Sequence, residues 1–188
     1  MVRFFSATVV MFFIGMSMTS CDPADTYKAE LTEIDSCLKR IDTLEALFDG
    51  IDFDTLQIMV DHVNSNEATI KDIYEPDTLD PRFGRYVTES KMIRKTLTNL
   101  SSKQLNYGDE LNAVKHQFMD LEEDITNGIL TDEQIKEYLT VEKEALKKVD
   151  LTVMGFYDTQ KLEKERYYYA VPEVDSYIEK IKTSIEEK

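Results

Sequence analysis

His62 and His116 are the only imidazoles in this chain of 188 residues, and Cys21 and Cys37 are its only thiols. Four such side chains limit metal and nucleophile chemistry from the outset. A di-iron bundle places Glu-x-x-His pairs on facing helices, but Met59 and Ala113 stand three residues before the two histidines. Zinc-protease, Walker, nucleophile-elbow and dinucleotide-binding patterns are missing too. Asp49, Asp52 and Asp54 crowd one turn, yet Leu56 and the lack of a glycine at the required offset defeat a calcium loop. Glu122, Glu123 and Asp124 are consecutive, cannot all share one helical face, and read as solvated surface. Both histidines read as surface or capping groups. Paired carboxylates of the glycosidase kind exist in any acidic chain, so they carry no weight here. The expectation is no cofactor, no metal site and no catalytic residue; enzymatic activity stays undecided, with nothing in its favour.

The least ordinary stretch is Arg166-Tyr167-Tyr168-Tyr169. Three consecutive tyrosines span most of a helix circumference, so at least one ring must face outward. Tyrosine joins a large rigid face to a polar tip, which suits it to binding patches. These four residues are therefore either the aromatic cap of a core or a partner-binding patch.

Helices must position them, because punctuation is sparse: 6 glycines and 4 prolines in the whole chain. Leu31, Ile34, Leu38, Ile41, Leu44 and Phe48 recur every three or four residues and predict a first helix over 25–49, with Gly50 as a left-handed cap. Cys37 shares that face, which favours a buried, inert thiol over one able to cross-link two chains. Asp54 and Gln57 have capping-box spacing for a second helix reaching about Tyr74; whether it folds back on the first helix or continues its line stays open, with the caps around Gly50 favouring a reversal. Residues 75–82, with two prolines, form a loop. From Phe83 to Ile125 an unbroken alternation of three- and four-residue steps passes through Asn106-Tyr107-Gly108-Asp109, and predicts one continuous helix. Asn127-Gly128 ends it, and Thr131 with Gln134 opens a fourth helix by a capping box. Its seam weakens at Gln160 and Glu163. Val171-Pro172 should break the chain before a short last helix. The whole reads as all-α: an elongated, antiparallel, coiled-coil-like bundle of about five helices, without sheet.

The first 20 residues follow another logic. Arg3 is their only charge, Phe4 to Met18 is almost wholly apolar, and Thr19-Ser20 precede Cys21. A basic start, an apolar run and small residues form a secretory signal, and the run is too short to span a bilayer. Met18-Thr19-Ser20-Cys21 resembles the lipobox of bacterial lipoproteins, with Met18 in place of the usual Leu. The resemblance covers residues 1–21 and implies removal of residues 1–20, acylation of Cys21, a short tether over 21–24 and one helical domain over 25–188. The mature chain would then carry 21 basic against 37 acidic residues, since Arg3 is lost with the signal. Such a balance argues against nucleic acid and against electrostatic adhesion to anionic lipid.

Asp-Thr-Leu occurs at 42–44, 54–56 and 77–79. It resembles the short acceptor motif of an envelope O-glycosylation system, which implies Thr43, Thr55 and Thr78 as candidate acceptors. The functional expectation is a non-catalytic, membrane-tethered helical module of the bacterial cell envelope. Its partners would be the bilayer, through Cys21, and an envelope protein or glycan; which membrane and which face stay open. The competing expectation is a ligand-binding or hydrolytic lipoprotein with a site between helices.

Overall fold

The computed structural model describes residues 23–73 and 81–187. Cys21 and Thr78 lie outside the described residues. The described chain is all-helical: α1 (Pro23–Thr26), α2 (Lys28–Asp49), α3 (Phe53–Ile73), α4 (Pro81–Thr96), α5 (Leu100–Thr126) and α6 (Asp132–Glu186). With α1 a single turn leading into α2, five substantial helices build an elongated bundle.

Cross-helix contacts reveal three parallel lines. Along α6, Asp132 meets Tyr27, Lys143 meets Glu33 and Asp150 takes a bidentate contact from Arg40. Phe156 then stacks on Phe53, Tyr167 meets His62 and Asp175 meets Asn66. Partner numbers rise together, so α2 and α3, end to end, run parallel to α6. The opposite order holds for α4 and α5: Phe83 with Tyr177, Glu89 with Arg166, Lys103 with Phe156. The fold is an up-down-up bundle in which α6 is the one unbroken line. Its 55 residues extend about 82 Å at about 1.5 Å per residue.

The helices form where the apolar spacing says they should. Ile34, Ile41 and Leu44 of α2, Leu111, Phe118 and Ile125 of α5, and Ile135, Val153 and Phe156 of α6 are buried in one core. A smaller cluster of Phe83, Val174 and Ile178 closes the far end. The turn between α5 and α6 is capped locally on both sides. Thr131 Oγ1 accepts from the Gln134 amide while Gln134 Oε1 accepts from the Thr131 amide. After α5, Gly128 at φ 66° allows its own amide to reach Ile125 O and the Ile129 amide to reach Asp124 O. That pair of bonds is a Schellman stop, and the positive φ is why glycine stands there.

Four expectations are corrected. The predicted continuous helix over 83–125 is interrupted at residues 97–99, where Asn99 is left-handed at φ 54°. Leu97 and Leu100 on either side are both buried, so the two helices keep one apolar face across the break. Residues 106–109 are helical. Val171-Pro172 does not end a helix: Pro172 lies inside α6, exposed, between buried Val171 and Val174. Gly50 is right-handed at φ −76°, and α3 does not fold back along α2. Finally, Asp52 rather than Asp54 caps α3, accepting from the Thr55 amide at 2.9 Å and its hydroxyl at 2.6 Å.

Both joints, 50–52 and 97–99, fall at one level. Phe156 of α6 marks it, stacked on Phe53, edge-on to Tyr107 and beneath the Lys103 ammonium. One turn on, Gln160 and Glu163 are buried at 5 % and 2 % exposure, where the sequence seam fades.

Candidate functional site

Residues 166–169 sit two-thirds of the way along α6, where consecutive side chains must diverge by about 100°. The structure separates them accordingly. Arg166 points to α4 and binds two carboxylates: Nε donates to Glu89 at 3.0 Å and Nη1 donates to Glu163. Those bonds, the one to Glu163 first, raise its already high pKa. A guanidinium committed to two carboxylates is not on offer to an anion from solution.

Tyr167 turns toward α3 and packs against the core. Its hydroxyl lies 2.6 Å from His62 Nδ1, His62 Nε2 lies 3.2 Å from Asp175 Oδ1, and Asn66 Nδ2 donates to the same oxygen at 2.6 Å. An ionised Asp175 accepts only, so in the neutral imidazole Nε2 bears the hydrogen and Nδ1 accepts from the phenol. The order hydroxyl, imidazole, carboxylate is that of a nucleophile, its base and an orienting group. Burial, then Asp175 and Tyr168, push the Tyr167 pKa up, so the phenol holds its proton more tightly than a free tyrosine does. The chain of bonds ties α3 to α6 across 105 residues of sequence. Nothing local in the sequence could reveal it; a half-buried histidine that meets a tyrosine, one helical turn from an asparagine that meets an aspartate, both partners lying far along the chain, is legible only in three dimensions.

The outward rings are Tyr168 and Tyr169, at 68 % and 51 % exposure. Tyr168 stands edge-on to Tyr167 at 5.5 Å, and Tyr169 lies 5.5 Å from Tyr86 of α4. The Tyr169 hydroxyl raises the Tyr86 pKa. Two exposed rings thus flank the back of α6, one ring faces inward, and the arginine is spent internally. Pro172 adds a detail: it has no N–H to offer the Tyr168 carbonyl four residues back.

The other singled-out residues are placed apart from these. Thr43 is exposed on α2, its hydroxyl bonded to Lys39 O, and Thr55 is half-buried with its hydroxyl held by Asp52. His116 is exposed on α5, and Cys37 is a half-buried free thiol whose pKa burial raises. Among the described residues, no three of His, Cys, Asp or Glu gather to hold a metal ion. A groove of about 510 Å³ between α5 and α6 is lined by Val114, Val141, Ala145 and Val149 with Glu110 and Lys148, and it is open to solvent.

The chain matches no protein-family profile, no curated protein and no solved structure. Its function is therefore read from geometry alone.

Proposed function

We propose that this chain is a lipid-anchored, non-catalytic interaction module of the bacterial cell envelope. It holds an aromatic contact surface away from the membrane on a helical rod. The observation that carries the reading is the separation of the two ends. The chain leads into α1 and α2 beside the start of α6, where Tyr27 donates to Asp132. The exposed Tyr168 lies further along the same helix, a rise of about 54 Å at about 1.5 Å per residue. Acylation of Cys21 would put lipid at the first end and leave Tyr168 and Tyr169 at a distance from the bilayer, free to meet an envelope protein or glycan.

The test has two arms. Cys21→Ser should abolish partition into detergent; a variant that stays membrane-bound removes the anchor from the reading. Tyr168→Ala and Tyr169→Ala should keep the wild-type melting temperature and lose a partner captured from envelope extracts by the soluble domain. Leu105→Ala, equally exposed at 68 %, serves as control and should keep that partner. Capture unchanged in both tyrosine variants rejects the aromatic surface.

A further inference from the structure

The tether end carries an apolar tip of its own. The turn between α5 and α6 sits at this end, because α1 packs against α5 and Tyr27 bonds to Asp132 at the first residue of α6. At the apex of the turn is Ile129, 65 % exposed, followed by half-buried Leu130. A Schellman stop commonly folds the residue after its glycine back onto the last helical turn. Here the backbone bonds of the motif are made, yet most of the isoleucine stays in solvent. We propose that the Ile129–Leu130 turn is a second membrane contact, seated in the interface of an electrically neutral lipid surface next to the acyl anchor.

Chain length supplies the occupant. Cys21 precedes Pro23, the first residue of α1, by two residues, and two residues span at most about 7 Å. This inference rests on the lipoprotein reading: acyl chains on Cys21 bring the bilayer to this end and to no other. Charge selects the kind of surface. From His116 to Ile135 there is no lysine or arginine, while Asp120, Glu122, Glu123, Asp124, Asp132 and Glu133 are present, an acidic excess over Lys28 and Lys136 of the same end. Such an end is repelled by anionic headgroups, whose attraction is for basic segments. An isoleucine between acidic helix ends therefore suits zwitterionic lipid.

The chain contains no tryptophan, so a single introduced indole is an unambiguous reporter. The full-length acylated protein carrying Ile129→Trp, or Tyr168→Trp as the far-end control, is reconstituted with phosphatidylcholine vesicles bearing brominated acyl chains. The expected result is co-flotation of both, with blue-shifted and quenched emission from position 129 alone. Co-flotation with emission at 129 as unquenched as at 168 overturns the inference and leaves the anchor intact. Failure of the acyl-bearing fraction to co-float overturns both. Because tryptophan itself seeks interfaces, hydrogen exchange over residues 127–131 is followed in the protein without either substitution. Phosphatidylcholine vesicles should slow it there, and in Ile129→Asp they should not. Quenching that strengthens rather than weakens when anionic phosphatidylglycerol is added would reject the neutral surface.

Discussion

Arg166→Met is the perturbation whose outcome the structure constrains most tightly. Glu163 is 2 % exposed, and its Oε1 accepts from the arginine while Oε2 has no partner among the described atoms. Removing the guanidinium leaves a carboxylate in the interior with neither oxygen satisfied. Losing one member of a buried ion pair costs about 3–5 kcal/mol. The second contact, to Glu89, involves a carboxylate about a third exposed, and such pairs contribute less than about 1 kcal/mol. The expected loss is therefore dominated by Glu163. It corresponds to a Tm decrease on the order of 10 °C for a domain of this size. Urea unfolding followed by the helical circular dichroism signal measures it, with an unchanged m-value showing that the unfolded state is not what moved. The companion variant sharpens the reasoning. Adding Glu163→Leu to Arg166→Met removes the stranded charge, and replacing a buried pair by apolar groups is neutral or stabilising by about 1–4 kcal/mol. The double variant should recover wild-type stability or better. An Arg166→Met protein within about 1 kcal/mol of wild type, or a double variant no better than the single, would refute the account of a buried carboxylate held by one arginine.

Other expectations follow from single groups. Burial raises the pKa of Glu142, whose Oε2 lacks a partner. A carboxyl with a folded pKa above its unfolded one contributes stability at low pH that is lost as pH rises through the folded pKa. Glu142→Gln should accordingly melt higher than wild type near neutral pH, with the gap closing as pH falls through the carboxylate range; thermal melts across that range check the sign. Asn99, left-handed at φ 54°, should tolerate glycine, whereas alanine there should cost about 1–2 kcal/mol in denaturant unfolding. Pro172→Ala restores a donor to the Tyr168 carbonyl inside α6 and should stabilise by up to about 3 kcal/mol. A loss in that variant would mean the proline shapes the helix in a way its neighbours need.

Much of the fold was legible because the helices are amphipathic along their whole length. The stop at Asn127-Gly128 and the capping box at Thr131 were readable for the same local reason. The errors share a different cause. Phase continuity from Phe83 to Ile125 implies backbone continuity only for an isolated helix; here α6 imposes the phase, because any two helices lying in line on one straight partner present the same face to it. Pro172 reads locally as a breaker because its cost is about 3 kcal/mol. Ala170, Val171, Val174 and Ile178 bury around it, at about 1.5–3 kcal/mol for each larger side chain, and hold the helix through the lost bond. Of residues 166–169, the exposure of at least one ring followed from consecutive spacing. The burial of Arg166 against Glu163 and Glu89 did not, since one carboxylate lies on another helix 77 residues away.

The parallel course of the first line and α6 also dictates when the molecule can come into being. Every partner that Glu33, Arg40, Phe53, His62 and Asn66 find on α6 is made more than 100 residues later. Closing loops of that length is slow compared with local helix growth. Until the 55 residues of α6 have been made, α4 lacks the Tyr177 ring on which Phe83 stacks. Assembly is therefore deferred until α6 has been made. The export proposed for this chain requires a thread that has not yet folded, and a fold that waits for α6 prolongs that condition.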